Sequence, residues 1–436
     1  MILVYILSLL IMVYLAYAAS NDIVNVTFLL LVGYLVSAIC CLYNYKLWAV
    51  SLHISTVFVV LLGIGSFLIG AGVGKRIKIK RFYSEQEMPT FALYLSEKKI
   101  HIWFLMLVDL FCIGITLLLY RDVVRIANLN FVSWGNTIYN YRQNLNSEGA
   151  SANLSSVVNI GLRFVAPFAY MFFAILISNI ITKKRESFIK KAMYIMPSIC
   201  YIVQTTLRGL RIPVLGFLIA CVFIYLFSIQ NEFKRHIKIK PQLVIKSLTA
   251  IFVLCVIFYY AKFIIGKQQS DSGVFSYVTN YLGGSLQLFD MYLQDPPTGN
   301  PHCETFSALI NSLQKFGLFK NVDAVVAHEY RSASTGVYIG NIYTGFRLYL
   351  HDYGILGVVG LSALLGGIYA LWYKKIISYT IWNSRRVFSM LLYASFLYKI
   401  VFHFFTDYFY SLIGVGWCVD IIIFYLVVKM ILDVKV

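Results

Sequence analysis

Apolar runs of about 20 residues, long enough to cross a roughly 30 Å hydrocarbon layer as a helix, recur down nearly the whole of this 436-residue chain. Within lipid a helix satisfies its own backbone N–H and C=O groups and an open strand does not, so the runs dictate helices. Composition agrees: 60% of residues are hydrophobic and 13% charged, too little polar surface to cover a water-soluble chain of this size. A secreted or cytosolic enzyme, a disulfide scaffold and an ordinary nucleic-acid binder are thereby excluded. The chain reads as one integral membrane domain over residues 1–436, an all-α polytopic membrane protein with the lipid bilayer as its first partner.

Breaks at polar clusters give about eleven spans, roughly 1 to 20, 24 to 44, 48 to 73, 100 to 120, 160 to 182, 192 to 207, 212 to 229, 247 to 266, 352 to 373, 387 to 405 and 411 to 431. Five short basic segments, at 75–99, 183–191, 234–246, 374–386 and the tail from Lys429, fall on one side, which the positive-inside rule makes cytoplasmic. The N-terminus and two long loops, 121–159 and 267–351, then face outward. The larger loop alternates amphipathic stretches with the proline turns at Pro296, Pro297 and Pro301, which predicts short helices lying over the membrane. The net charge of +18 therefore orients helices and calls for no nucleic acid. Met1 to Ser20 lacks a basic leading region and reads as an uncleaved first span.

Seven of the eight cysteines lie inside apolar runs, so no disulfide is expected, and no HExxH, CxxC, Walker, GxGxxG or GxSxG pattern occurs. Neither a metal nor another cofactor is called for. The cations divide by type: the inner segments hold about 17 Lys and 6 Arg, whereas the outer half holds about 8 Arg and 6 Lys. Either residue serves orientation. Arginine's planar fork is what bidentate phosphate or carboxylate recognition needs, and its excess outside points to an anionic ligand there, Arg142 and Arg163 included.

Three constellations stand out. In Thr206-Leu-Arg208-Gly-Leu-Arg211-Ile-Pro213, two guanidinium groups three residues apart precede a proline that can open the next helix, an arrangement suited to a lipid pyrophosphate or, more blandly, to gripping headgroups. In Asn341-Ile-Tyr343-Thr344-Gly-Phe-Arg347-Leu-Tyr-Leu-His351-Asp352-Tyr-Gly354, helical spacing puts Tyr343, Arg347 and His351 on one face with Asp352 beside it, a mix that can bind phosphate, orient a sugar and move a proton. Asn341 and Thr344 could read hydroxyls. Lys399, His403 and Asp407 follow the same spacing and read first as an ion-pair ladder, with a proton relay or acceptor positioning as the alternatives, while Asp109 and Asp420 are lone acids that need partners across the bundle, with Arg163 an available cation. Glu304, His302, His328 and Glu329 are loop groups able to act as bases or simply to be solvated.

The run Tyr281 to Asp290 with its Gly-Gly-Ser, the segment Glu304-Thr305-Phe306, the junction from Asn341 to Gly357 and the Arg-Gly-x-Arg turn together resemble bacterial O-antigen polymerases of the Wzy type. That resemblance implies a fold similar to glycosyltransferase class C, placed in the bacterial inner membrane with its site toward the periplasm. It implies cofactor-independent, inverting glycosyl transfer between polyprenyl-diphosphate-linked donor and acceptor glycans, building a lipopolysaccharide O-antigen or related surface polysaccharide, with a chain-length regulator as partner. Arg347, Tyr343 and His351 or Asp352 would then be catalytic, and Arg208, Arg211, Arg142, Arg163, Asn341, Thr344 and Glu304 would bind substrate. An O-antigen ligase shares this architecture, and a lipid-linked oligosaccharide flippase would use basic groups too, although no internal repeat is visible.

Overall fold

The computed structural model describes residues 1–79, 89–127, 134–147, 153–233, 273–297, 302–319, 322–324 and 328–433. The chain is helical throughout: α1 (Ile2–Ser20), α2 (Val26–Tyr43), α3 (Tyr45–Trp48), α4 (Ile54–Arg76), α5 (Phe91–Ser96), α6 (Ile102–Ala127), α7 (Trp134–Ser147), α8 (Ser156–Ile181), α9 (Phe188–Leu207), α10 (Ile212–Phe233), α11 (Val274–Gln294), α12 (Ser307–Gln314), α13 (Phe346–Ile377), α14 (Ser384–Val401) and α15 (Val415–Asp433). Two minimal sheets decorate one loop: β1 (His302–Cys303) runs parallel to β2 (Asp323–Ala324), and β3 (Arg331–Ser332) antiparallel to β4 (Tyr338–Gly340).

Among the described residues eight helices are long and apolar enough to cross a membrane: α1, α2, α4, α6, α8, α10, α13 and α15. This is a multi-pass membrane protein. Leu3, Leu7, Phe58, Ile69, Trp103, Leu107 and Leu110 are exposed, as lipid-facing side chains are. Of the other expected spans, 192–207 and 387–405 correspond to α9 and α14, which pack among the eight, and 247–266 lies outside the described residues, as does the basic segment 234–246.

Side-chain contacts sort the helix ends into two groups. At one end Asp22, after α1, accepts from the Tyr373 hydroxyl (2.6 Å) and Gln230 (3.4 Å), Lys374 reaches the carbonyls of Lys75 and Ile77, Lys98 that of Leu432, Lys184 that of Ser96, and Ser384 meets Asp433. These positions carry the short basic segments. The opposite, loop end joins Arg163 to Gly416 and Asp420, Tyr34 to His403, and His53 and Thr56 to Asp290. Capping explains several entries into helices: Asn25, Ser187 and Asn383 each accept a first-turn N–H, of Thr27, Lys190 and Arg386.

Among the described residues α4 and α13 share the most extensive helix–helix contact. A glycine seam permits it, because a Cβ at Gly70 or Gly366 would collide with the carbonyls of Ala363 and Phe67. Small residues at such seams let backbones approach where lipid offers no hydrophobic drive for association. α13 is broken at Gly354, whose φ of 61° and ψ of −155° suit glycine alone, so a short helix over residues 346–353 precedes the span proper.

The expected outer loop 267–351 contains more order than short surface helices. α11 is a 21-residue helix against α2, with Gly283 closed onto the Cys40–Cys41 backbone and Ser285 donating to the Phe404 carbonyl (2.8 Å). Its partners Arg211, Phe405, Cys41 and His53 all belong to the loop end.

Candidate functional site

At the loop end the chain is steered into the site by backbone. The β3–β4 hairpin delivers Gly340, at φ 137°, to the Asn341–Gly345 turn. Gly345 lies against the His403 imidazole, where a Cβ would clash, and its N–H donates to the His403 carbonyl (2.9 Å). α13 therefore begins at Phe346, not at Ile342, and Tyr343 stands before the helix.

Tyr343 and Arg347 nevertheless meet. The guanidinium lies 3.9 Å from the Tyr343 ring centroid and 4.6 Å from that of Tyr292, and is 1% exposed. It forks onto Glu329, with bonds of 3.0 and 2.7 Å, and gives a third bond of 3.1 Å to Glu304. The Tyr343 hydroxyl also donates to Glu329 (2.8 Å), and Arg331 sits 3.4 Å from the same carboxylate. His328 stands 3.4 Å from Glu304 and edge-on to Tyr343, with Asn341 holding the His328 carbonyl (3.3 Å).

Burial alone would raise the Glu304 carboxyl, but His328, Arg347 and His351 outweigh it and hold the group down at about 2. Glu329 is likewise held below the usual carboxylate range: burial pushes it up, and the Arg347 fork more than reverses that. Both acids are anions whose charge is spent on the buried guanidinium. Asp352 is equally committed, accepting the N–H groups of Glu304 (3.1 Å) and Thr305 (2.7 Å), and so it pins the β1 segment to the short helix. His351 is half-buried with Nδ1 3.2 Å from the Tyr292 hydroxyl. Thr344 is fully buried, and its carbonyl accepts the Arg347 N–H (3.0 Å).

The other arginines gather around a separate chamber. A cavity of about 690 Å³ opens between α8, α9, α14 and α15, with Arg163, Arg208 and Lys399 as its cations, Asp420 as its acid, and rings such as Tyr201 and Trp417 in its wall. Arg163 bonds Asp420 (2.7 Å) and the Gly416 carbonyl (3.0 Å). That satisfies the expected need of Asp420, whereas one buried carboxylate oxygen of Asp109 has no partner among the described residues. Gly209, at φ 67°, forms the Arg-Gly-x-Arg turn, and Arg142 crosses it to donate to the Gly209 carbonyl (3.3 Å). Arg211 points away from the chamber, bonding the Tyr277 hydroxyl and lying 5.8 Å from the Tyr277 and Tyr281 rings, which ties α11 to the bundle.

The structure thus brings Tyr343, Arg347, Glu304 and Asn341 into one cluster with His351 and Asp352 at its edge, and Arg163 with Arg208 into another. A partition separates them: Leu412 lines the chamber, while Tyr410 packs on Tyr349 and Phe306. Glu329 and His328 prove central to the first cluster, a role that spacing could not reveal because they lie on a loop. The expected ladder of Lys399, His403 and Asp407 does not form. α14 ends at Val401; His403 bonds Tyr34 (2.8 Å) and Tyr349 (3.2 Å), and Asp407 accepts the N–H groups of Phe409 and Tyr410. Among the described residues no three His, Cys, Asp or Glu side chains are placed to hold a metal ion. No protein-family model, no curated protein and no solved structure matches the chain.

Proposed function

We propose that this chain is a membrane glycosyltransferase of the O-antigen polymerase type, an eleven-span relative of glycosyltransferase class C in the bacterial inner membrane with its loop end toward the periplasm. The observation that carries the proposal is the ring-walled chamber holding Arg163 and Arg208 at the loop end of a membrane bundle. An apolar chain with an anionic head is the kind of molecule such a space suits, and a polyprenyl diphosphate bearing a glycan is one.

In this reading the donor's diphosphate lies by Arg163 and Arg208, and its glycan passes over the Tyr410–Leu412 turn toward the Arg347 cluster. An acceptor hydroxyl attacks the anomeric carbon, the bond from that carbon to the diphosphate oxygen breaks with inversion, and the guanidinium groups take up the charge on the leaving diphosphate. Asp352 is committed to the backbone N–H groups of Glu304 and Thr305, so the half-buried His351 at the cluster's edge is the base and Tyr292 orients it. Arg347 shapes the acceptor side by fixing Glu304 and Glu329, and Asp352 fixes the loop. The test is a glycan profile after gene deletion. Loss of the polymer ladder with retention of a single capped unit is expected; loss of both would reject the polymerase in favour of a ligase or flippase.

A further inference from the structure

The chamber wall holds a cation that this mechanism leaves unused. Lys399, in the last turn of α14, is 2% exposed and lines the cavity. Its ammonium is surrounded by rings, 4.2 Å from the centroid of Phe396, 5.5 Å from Trp417 and 5.8 Å from Phe409. Asp407 is the acid whose charge it feels, but among the described residues none lies in ion-pair contact with it, and Asp407 gives both carboxylate oxygens to backbone N–H groups. Ring faces offset only part of the cost of taking an ammonium out of water. Ionisable groups at membrane depth are paired or serve a ligand, and here the nearest charge partner stops short of contact. In the same wall Arg163 is in contact with Asp420, whereas among the described residues no acid contacts Arg208 or Lys399.

We propose that the chamber binds a phosphate or diphosphate head group carried on an apolar chain, with Lys399 as its buried anchor. This rests on the donor site assigned above and adds the residue that the arginine pattern concealed. Lysine suits the position, because a compact point charge with three donors fits inside a ring cage where a planar guanidinium fork would not. The head group supplies an anion in contact with the ammonium, and the rings line the path of the chain behind it. An isoprenoid carrier and a bilayer phospholipid share this chemistry.

The test uses the purified full chain in phosphatidylcholine nanodiscs, with radiolabelled farnesyl diphosphate as probe. Lys399→Met is expected to weaken binding at least tenfold while leaving the ligand-free protein as stable to heat as the native chain or more so, since a buried charge with no acid in contact gives way to an apolar side chain of similar length. Unchanged affinity in a folded Lys399→Met variant overturns the proposal. So does competition by farnesol or inorganic diphosphate as effective as that of farnesyl diphosphate itself. Phosphatidylglycerol competing on equal terms assigns the site to phospholipid, and its failure assigns it to an isoprenoid carrier; either supports the site. Should Lys399→Met fail to fold, Ser395→Trp fills the chamber with Lys399 in place, and binding retained in that variant overturns the proposal. Probe binding without any polymer formation keeps the site and rejects the polymerase, whereas wild-type polymer formation by Lys399→Met rejects the site alone.

Discussion

Arg347→Met removes the single cation shared by two acids. The Glu304 side chain is fully buried and would keep His328, at 3.4 Å, whereas Glu329 is 29% exposed and would keep Tyr343 and Arg331. The loss therefore falls chiefly on Glu304. Stripping one partner from a buried pair costs about 3 to 5 kcal/mol, at the low end here because His328 stays beside the charge left behind. Adding Glu304→Gln removes that charge and recovers about 2 kcal/mol, within the usual range for residues in one network. The assay is unfolding of purified protein in mixed detergent micelles by increasing dodecyl sulfate, with the single and double variants compared to the native chain. A single variant as stable as the native protein, or a double variant less stable than the single, would refute the reasoning. It follows that lost activity in Arg347→Ala reports on the fold as much as on chemistry.

Three further outcomes are expected. The Glu304 carboxyl is depressed from 4.5 to about 2, so its stabilisation is fully present above pH 4.5 and is lost as pH falls toward 2; an acid titration of near-UV dichroism should show this step, and Glu304→Gln should lack it. Gly70→Val should lower stability by about 2 kcal/mol or more in the dodecyl sulfate assay through overpacking against Ala363, whereas Gly72→Val, whose Cβ meets nothing within 4 Å, should not. If Arg208 takes up the leaving charge, Arg208→Lys should lose nearly as much polymer-forming rate as Arg208→Ala, about a hundred- to a thousand-fold, and full rescue by lysine would indicate headgroup anchoring.

The spans were legible because a bilayer imposes one length and one composition, and the described lysines Lys75, Lys98, Lys184 and Lys374 do gather at one end of the bundle. α11 was not, because Asn280, Gln287 and Asp290 lower its hydropathy below that of a span while its burial comes from α2, His53 and Thr56, far away in sequence. Helical spacing brought Tyr343 to Arg347 in expectation; in the structure a cation–π contact brings them together across a turn, since His403 takes the Gly345 N–H and sets the helix start. The convergence of Glu304 and Glu329 on Arg347 had no local signal, for a loop carries no period. For Lys399 spacing predicted a ladder of contacts that the end of α14 at Val401 breaks, leaving Asp407 acting on it only at a distance.

The most direct measurement reconstitutes the purified chain in proteoliposomes with a polyprenyl-diphosphate-linked repeat unit and follows both glycan length and release of polyprenyl diphosphate. The account predicts a ladder of lengths, one diphosphate released per added unit, and loss of both in Arg208→Ala with normal protein abundance. A well-folded, correctly inserted protein that forms no ladder and releases no diphosphate, or a ladder that persists undiminished in Arg208→Ala, would contradict it.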